Sequence, residues 1–431
     1  MGHSINASDR PNLHPTRRCL VRTAGLVAAS AALTGGSATI EPQAVAADNG
    51  TVESFWGDHQ GGIITPVQSH SYFAALDLET SKRDDVIKLL RGWTAAAAHM
   101  SAGQTAAPIG IDAAKPAPDT GEALDLGVAR LTVTFGFGPG LFTKEGKDRY
   151  DLAARRPPAL VDLPRFNGEQ LIETRTGGDL SVQACADDPQ VAFHAVRQLA
   201  RLAYGTAKIR WAQAGYVSRP DGEATPRNLM GFKDGTSNPS VADRRAMAKF
   251  VWVGAEGPDW MKGGSYVVAR RIRIALEHWD RMKVAFQEQT IGRHKYTGAP
   301  LGGKNEFDPL DLTAADKDGN LVIPDSAHVR LGAAASNAGA QILRRPYSYN
   351  DGVNFTAERW PPWRQGLEYD AGLFFLAYQR DPRDGFVKIF ANMSKLDMLN
   401  QFITHVGGGL FACPPGALEG EYIGQALFAS A

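Results

Sequence analysis

The chain has 431 residues, 43% of them hydrophobic, which is ample for a large core and implies two or three domain-sized units. Its 46 basic residues balance its 46 acidic ones, so the charge argues neither for a nucleic-acid partner nor for an acidic disordered tail. Beyond residue 50 no apolar run approaches the ~18 residues that a spanning helix needs, so the mature chain is not expected to be an integral membrane protein.

The N-terminus reads as an address label. Arg17-Arg18 precede Cys19-Leu20-Val21, a mildly apolar stretch rich in Ala and Gly covers 24–38, and Ala44-Val45-Ala46 has the small-x-small form that signal peptidase cuts. Residues 1–46 are therefore expected to be a twin-arginine signal peptide, and the mature protein to reach the periplasm or the cell exterior already folded. Its removal takes Arg10, Arg17, Arg18, Arg22, Asp9 and Glu41 and leaves about two net negative charges. Cys19 leaves with it. Cys185 and Cys413 remain, far apart in sequence and expected as buried thiols.

Along the mature chain, 71–78 predicts a strand. Residues 81–100 predict a helix, with Val86, Leu89, Leu90 and Trp93 at helical spacing. A loop rich in Ala, Gly and Pro covers 101–125. Strands follow at 129–135 and 180–186. Asp188-Pro189 starts a helix that runs to 202, and 208–216 is a strand. The order strand, helix, strand, strand, helix, strand is that of the ferredoxin-like unit. A second half repeats it without sequence identity: strand 265–274, helix 276–287, a long polar insertion over 292–368, strand 372–379, helix 395–404 and a short strand 409–413. Long loops inside a compact domain are usually functional, and this insertion holds the most unusual residues.

Three segments carry chemistry. Gly231-Phe232-Lys233-Asp234-Gly235-Thr236-Ser237-Asn238-Pro239 is a sharp turn whose glycines allow close approach to a flat ligand, although an Asp that caps its own turn is common. Ile323-Pro324-Asp325-Ser326-Ala327-His328-Val329-Arg330 places one of eight mature histidines in the long insertion, beside an arginine. His194 lies within the predicted helix that starts at Asp188, and His278 on a charged, solvated one. Ile342-Leu343-Arg344-Arg345-Pro346-Tyr347-Ser348-Tyr349 sets two arginines among apolar and aromatic residues; a buried arginine needs an anionic partner. That partner can be a cofactor carboxylate, a catalytic carboxylate, a developing oxyanion or a structural acid.

Taken together, these segments resemble the dye-decolourising peroxidases, in particular the subgroup that includes the bacterial deferrochelatase/peroxidases. The family's G-x-x-D-G signature matches Gly231 to Gly235, its proximal histidine falls on His328 and its distal arginine on Arg344. The stretch Asp58-His59-Gln60-Gly61-Gly62-Ile63 and residues 287–303, 372–380 and 411–416 read the same way, so the resemblance covers the whole mature chain. In place of the subgroup's Asn-Pro-Arg-like run after the histidine, residues 332–335 are Gly-Ala-Ala-Ala.

The resemblance implies an α+β fold: two ferredoxin-like domains, 47–225 and 226–431, with antiparallel sheets of the dimeric α/β barrel type and haem mainly in the C-terminal half. It implies one haem b per chain, non-covalent because the sequence lacks C-x-x-C-H, with His328 on the iron and a carboxylate on its other nitrogen. Asp234 is the implied acid–base for hydrogen peroxide, and Arg344 the charge that keeps Asp234 ionised, with activity favoured in acid. Gly235, Thr236, Ser237, Arg330 and Arg344 are implied along the haem, Arg330 near its propionates. Phe375 and Phe411, with Phe374, are implied as apolar walls. Bulky dyes would be oxidised through a surface aromatic such as Tyr347, Tyr349, Trp360 or Trp363. The alternative activity is release of iron from haem with the porphyrin intact, which would bring iron-uptake partners; a homo-oligomer is also compatible.

Overall fold

The computed structural model describes residues 50–109, 113–218, 225–357 and 365–429; the expected signal peptide, Trp360 and Trp363 lie outside them. In chain order the elements that matter are β1 His70–Leu78, α1 Arg83–Ser101, β2 Thr132–Phe137, α2 Pro139–Phe142, β3 Leu180–Ala186, α3 Pro189–Leu202 and β4 Ala207–Tyr216. They continue with α4 Arg244–Phe250, β5 Ser265–Ile274, α5 Leu276–Trp279, α6 Val284–Ile291, α7 His328–Gly332, β6 Leu343–Arg344, β7 Tyr347–Ala357, β8 Gln365–Gln379, α8 Lys388–Leu396 and β9 Ile403–Cys413.

The strands form one antiparallel sheet in the order β5-β9-β2-β3-β1-β4-β7-β8-β6, and a further pairing of β8 with β5 closes it into a barrel. β1 to β4 pair in long registers with one another, as do β5, β7, β8 and β9. The two sets meet at two seams with one register pair each, Phe137 with Ala412 and Tyr216 with Ser348.

Alternation along the strands separates two cores. From β1, Phe73 and Ala75 point into the barrel, where Phe73 meets Trp211, Phe374 and Phe411 at ring-centroid distances of 5.2, 5.5 and 5.8 Å. Ala74, Leu76 and Leu78 point outward beneath α1 and α3. On α1 the residues at helical spacing, Val86, Leu89, Leu90 and Trp93, are buried, and Trp93 Nε1 donates to Leu199 O of α3 at 2.8 Å. Asp188 caps α3 by accepting from the amides of Gln190 and Val191, with Pro189 in the first turn.

The segment around Gln60 is a staple across the β2–β9 seam. Gln60 Nε2 donates to Phe135 O and Pro414 O, and its Oε1 accepts from Phe135 N, at 3.0, 2.9 and 2.8 Å. Gly62 has φ +88°, and a Cβ there would stand 2.6 Å from Thr134 Oγ1. His59 stacks on Trp252 and contacts Gly263 O through Nδ1 at 2.7 Å.

Several element boundaries differ from expectation. The insertion is shorter, because β7 and β8 extend as a ribbon whose paired residues Val353–Tyr369 and Phe355–Leu367 all remain exposed and so lack the buried alternation of a core strand. β9 begins at Ile403, its first half disguised by Gly407, Gly408 and Gly409. The predicted helix 395–404 is instead α8, ending at Leu396, and a single 3-10 turn at Met398–Gln401. Helix 276–287 is broken into α5 and α6. Cys185 and Cys413 are free, buried thiols. Among the described residues no helix is long and apolar enough to cross a membrane.

Candidate active site

Asp234 sits in the turn that follows β4, tied back by Asp234 N donating to Pro226 O at 2.9 Å. Gly235 has φ +122°, a region that excludes ordinary side chains even though space around it is open. Residues on both sides of Asp234 hold the turn. Lys233 Nζ pairs with Glu306, and Thr236 Oγ1 donates to Glu306 Oε1 at 2.9 Å. Burial alone would raise the Glu306 carboxyl, but its bonds to Lys233, Thr225 and Thr236 outweigh that and hold it below the usual range. Arg293 bonds Glu306 O at 2.8 Å and Ser237 Oγ at 3.3 Å, so Thr236 and Ser237 spend their hydroxyls bracing the loop.

β6 delivers Arg344. Asn238, in the same loop as Asp234, accepts from Arg344 N at 3.1 Å and donates to Arg344 O at 2.7 Å. The guanidinium then reaches Asp234, with Nη1 3.1 Å from Oδ1. Strand alternation sends Arg345 the other way. It is 2% exposed inside the barrel, bonded to Thr65 O, Gln68 Oε1, Tyr347 and Cys185. The arginine pair thus serves two places, the first the site and the second the core.

His328 is the first residue of α7. Its Nδ1 lies 2.7 Å from Asp397 Oδ2, while Asp397 Oδ1 accepts from Leu399 N at 2.8 Å. Asp397 is 2% exposed at its side chain, yet His328 keeps 33%, so the free ring edge carrying Nε2 opens on a space. The charges of Arg344 and Asp234 both act on His328, so the two pairs lie near one another. Burial lowers the His328 pKa, but the Asp397 charge and hydrogen bond raise it more, so the net direction is up.

The other expected residues divide. Arg330 commits Nε to Ile323 O and Pro324 O and one N–H of Nη2 to Ile323 O, which leaves Nη1 and the second Nη2 hydrogen for a ligand. Phe375 is half-buried on the outer sheet face against Phe386. Phe411, expected beside it, points into the barrel with Phe374, since both occupy the opposite phase of their strands; they are core residues. Tyr347 and Tyr349 are each 1% exposed and so are not surface residues. His194 is buried between Asp119 and Glu122, and His278 rests on Phe402. Beyond residues 332–335, Asn337 Nδ2 caps α7 through Leu331 O and Ala333 O at 2.7 and 2.8 Å.

Asp397 is the residue the sequence did not reveal. It looks like any helix-terminal cap, and nothing local shows that its second oxygen reaches a histidine 69 positions earlier. Its loss has a definite expected effect. With His328 as the iron ligand that the resemblance implies, Asp397→Asn should weaken haem binding by about 10–100-fold at neutral pH, as loss of a partner behind a metal ligand does. The pH dependence fixes the cause. Nε2 ligates only when His328 is neutral, so affinity should fall as pH drops through the histidine's pKa, which lies above the usual ~6.5. In Asp397→Asn that fall should move to lower pH. Haem titrations of the two apoproteins across pH check both statements.

A histidine backed by a buried carboxylate, close to an Arg–Asp pair, fits an iron porphyrin between them. Comparison with known proteins agrees. Residues 60–217 match the family described as Dyp-type peroxidase, N-terminal, and 225–418 the one described as Dyp-type peroxidase, C-terminal. The chain is 40% identical over 386 residues to a dye-decolorizing peroxidase of Thermobifida fusca, covering 85% of this chain and 83% of that protein. It is 34% identical over 432 residues to a deferrochelatase of Escherichia coli K12, covering 96% and 97%. The crystal structure of a DyP-type peroxidase from Streptomyces coelicolor superposes with a TM-score of 0.78 at 40% identity, over 88% of this chain and 98% of that one. Two matched halves, relatives at 34–40% identity over most of the chain and the same fold place this chain in the Dyp-type peroxidase family, as a haem peroxidase.

Proposed function

We propose that one haem b per chain is held without a covalent link by His328 Nε2, in the C-terminal of two ferredoxin-like halves, 47–225 and 226–431. The observation that carries this reading is the His328–Asp397 pair facing the Asp234–Arg344 pair. When bound, haem supplies the redox-active iron. The chain's own residues supply proton handling and charge. Asp234 takes a proton from one peroxide oxygen and delivers it to the other, which departs as water. Arg344, paired with Asp234, offsets the charge on the departing oxygen. Asn238 and Glu306 hold the two side chains at this spacing, so little reorganisation is needed when peroxide enters. Bulky organic or dye-like molecules then serve as reductants.

A second reading is supported by the deferrochelatase relatives, which match nearly the full chain. Under it, haem is the substrate, and iron leaves while the porphyrin remains intact. Purified protein mixed with haem separates the two. Peroxide-dependent bleaching of an anthraquinone dye without iron release supports the peroxidase reading; metal-free porphyrin appearing with free iron supports the other.

Export by the twin-arginine route is part of the proposal, because a chain that carries a cofactor gains from folding before translocation. Arg17→Lys together with Arg18→Lys should leave the protein in the cytoplasm and abolish its appearance in the periplasm or medium. Fractionation followed by immunoblotting checks this, and undiminished export of the double variant would count against it.

A further inference from the structure

Beside Asp397 lies a cleft of about 540 Å³ that the chemistry above does not use. Asp397 forms part of its lining, so the cleft shares a residue with the His328 pair. Phe390, Leu396 and Ile403 give it apolar walls, and His405 and Glu169 reach its floor. Glu169 is spoken for: its side chain is 5% exposed and Oε1 stands 3.1 Å from Arg270 Nη2.

His405 is not spoken for. It is 6% exposed and its ring lies 4.4 Å from that of Phe390. Its Nδ1 is buried without a partner, and no hydrogen bond is made at Nε2. Buried polar groups are nearly always paired, so an unpaired imidazole in a cleft wall asks for a ligand. Burial and then the Arg270 charge hold His405 well below the ordinary imidazole value, which keeps it neutral. A neutral imidazole beside aromatic and aliphatic walls suits a small aromatic ring that bears a hydroxyl. The hydroxyl both donates and accepts, so it satisfies either tautomer.

We infer that this cleft is a subsite for small phenolic reductants, with His405 as their hydrogen-bond partner. The inference rests on the peroxidase reading. In the tautomer with Nε2 bare, the phenolic O–H bond breaks and its proton passes to Nε2 of His405; bound haem, oxidised by peroxide, would accept the electron, with Asp397 and His328 lying between the cleft and the cofactor's side of the histidine. A phenol that has lost an electron is a strong acid, so a weakly basic imidazole is sufficient. Two phenols are consumed per peroxide, giving two phenoxyl radicals and two waters.

The test uses guaiacol on the haem-loaded enzyme. Saturation-transfer NMR reads binding without turnover, and steady-state oxidation reads KM. His405→Leu should weaken binding and raise the guaiacol KM by about five-fold, the worth of one neutral hydrogen bond. The Soret band and the KM for peroxide should not change. His405→Gln, which keeps a donor and an acceptor, should recover part of the loss. Leu396→Asp at the cleft mouth, where the side chain is 59% exposed, should weaken guaiacol binding in the same direction without cost to the core. Guaiacol binding and KM unchanged in His405→Leu overturn the inference. Should that variant lose its Soret band, an unchanged Leu396→Asp overturns it instead. Benzoate that displaces guaiacol more strongly than phenol does would mark an anion site at Lys395 and overturn it as well. Failure of the peroxidase reading looks different: the unmodified enzyme would bind guaiacol but show no peroxide turnover with any reductant.

Discussion

His328→Ala is expected to lose its haem. The purified variant should show no Soret band, or a weak and shifted one, and peroxide turnover should fall to background. The loss in affinity should exceed the roughly 100-fold upper range for a partner behind the ligand, because the ligand itself is gone. No other described histidine can substitute. His194 is held between two carboxylates, His294 bonds Glu288, and His405 lines the separate cleft beside Asp397. Added imidazole should restore part of the band, since the truncated side chain leaves space on the same side and Asp397 remains to orient the guest. A full, unchanged haem spectrum in the alanine variant would remove the iron assignment and everything built on it.

The second large effect belongs to the opposite pair. Asp234→Asn keeps shape and hydrogen bonding but removes the base, and should slow the reaction with peroxide by about 10²–10⁴-fold. Arg344→Leu removes the charge that offsets the departing oxygen and should cost about 10²–10³-fold. Both should retain a normal Soret band, because neither touches His328 or Asp397. Stopped-flow mixing with peroxide from acid to neutral pH reads both effects. Full-speed reaction in the two single variants would leave the distal side without an assigned role.

Much of this site was legible before any coordinates. Asp234, Arg344 and His328 sit in segments whose composition is odd for their surroundings, and the structure brings them together. What stayed hidden was direction. Arg344 and Arg345 are equivalent as a dipeptide, and only their place on β6 decides which one meets Asp234 and which one enters the barrel. Phe374 and Phe375 pose the same problem, as does Phe411: a one-residue change of phase exchanges pocket wall and core. Asp397 stayed hidden because its partner is distant in sequence. Strands were missed where side chains gave no alternation, at the glycines of β9 and along the exposed ribbon of β7 and β8. Helix α3 is marked locally by the Asp188 cap and Pro189, and the first half of β5 by the apolar run Tyr266-Val267-Val268-Ala269.

The single-pair seams have a consequence for how the molecule comes apart. Backbone hydrogen bonds run densely within β1–β4 and within the β5, β7, β8 and β9 group, and scarcely between them. What clasps the two shells is the interlocking of Phe73, Trp211, Phe374 and Phe411, with Gln60 as a clip on one side and the backbone amides of Gln170, Ile172 and Gly177 bonded to β9. Such a joint resists shear through shape but offers little ladder to unzip. Its two shells can part as intact sheets, and a hole at Phe73 would loosen both edges at once. His328, Asp234, Arg344 and Asp397 all lie in the later half of the chain, so partial parting of the shells leaves the catalytic residues on one fragment, still facing one another.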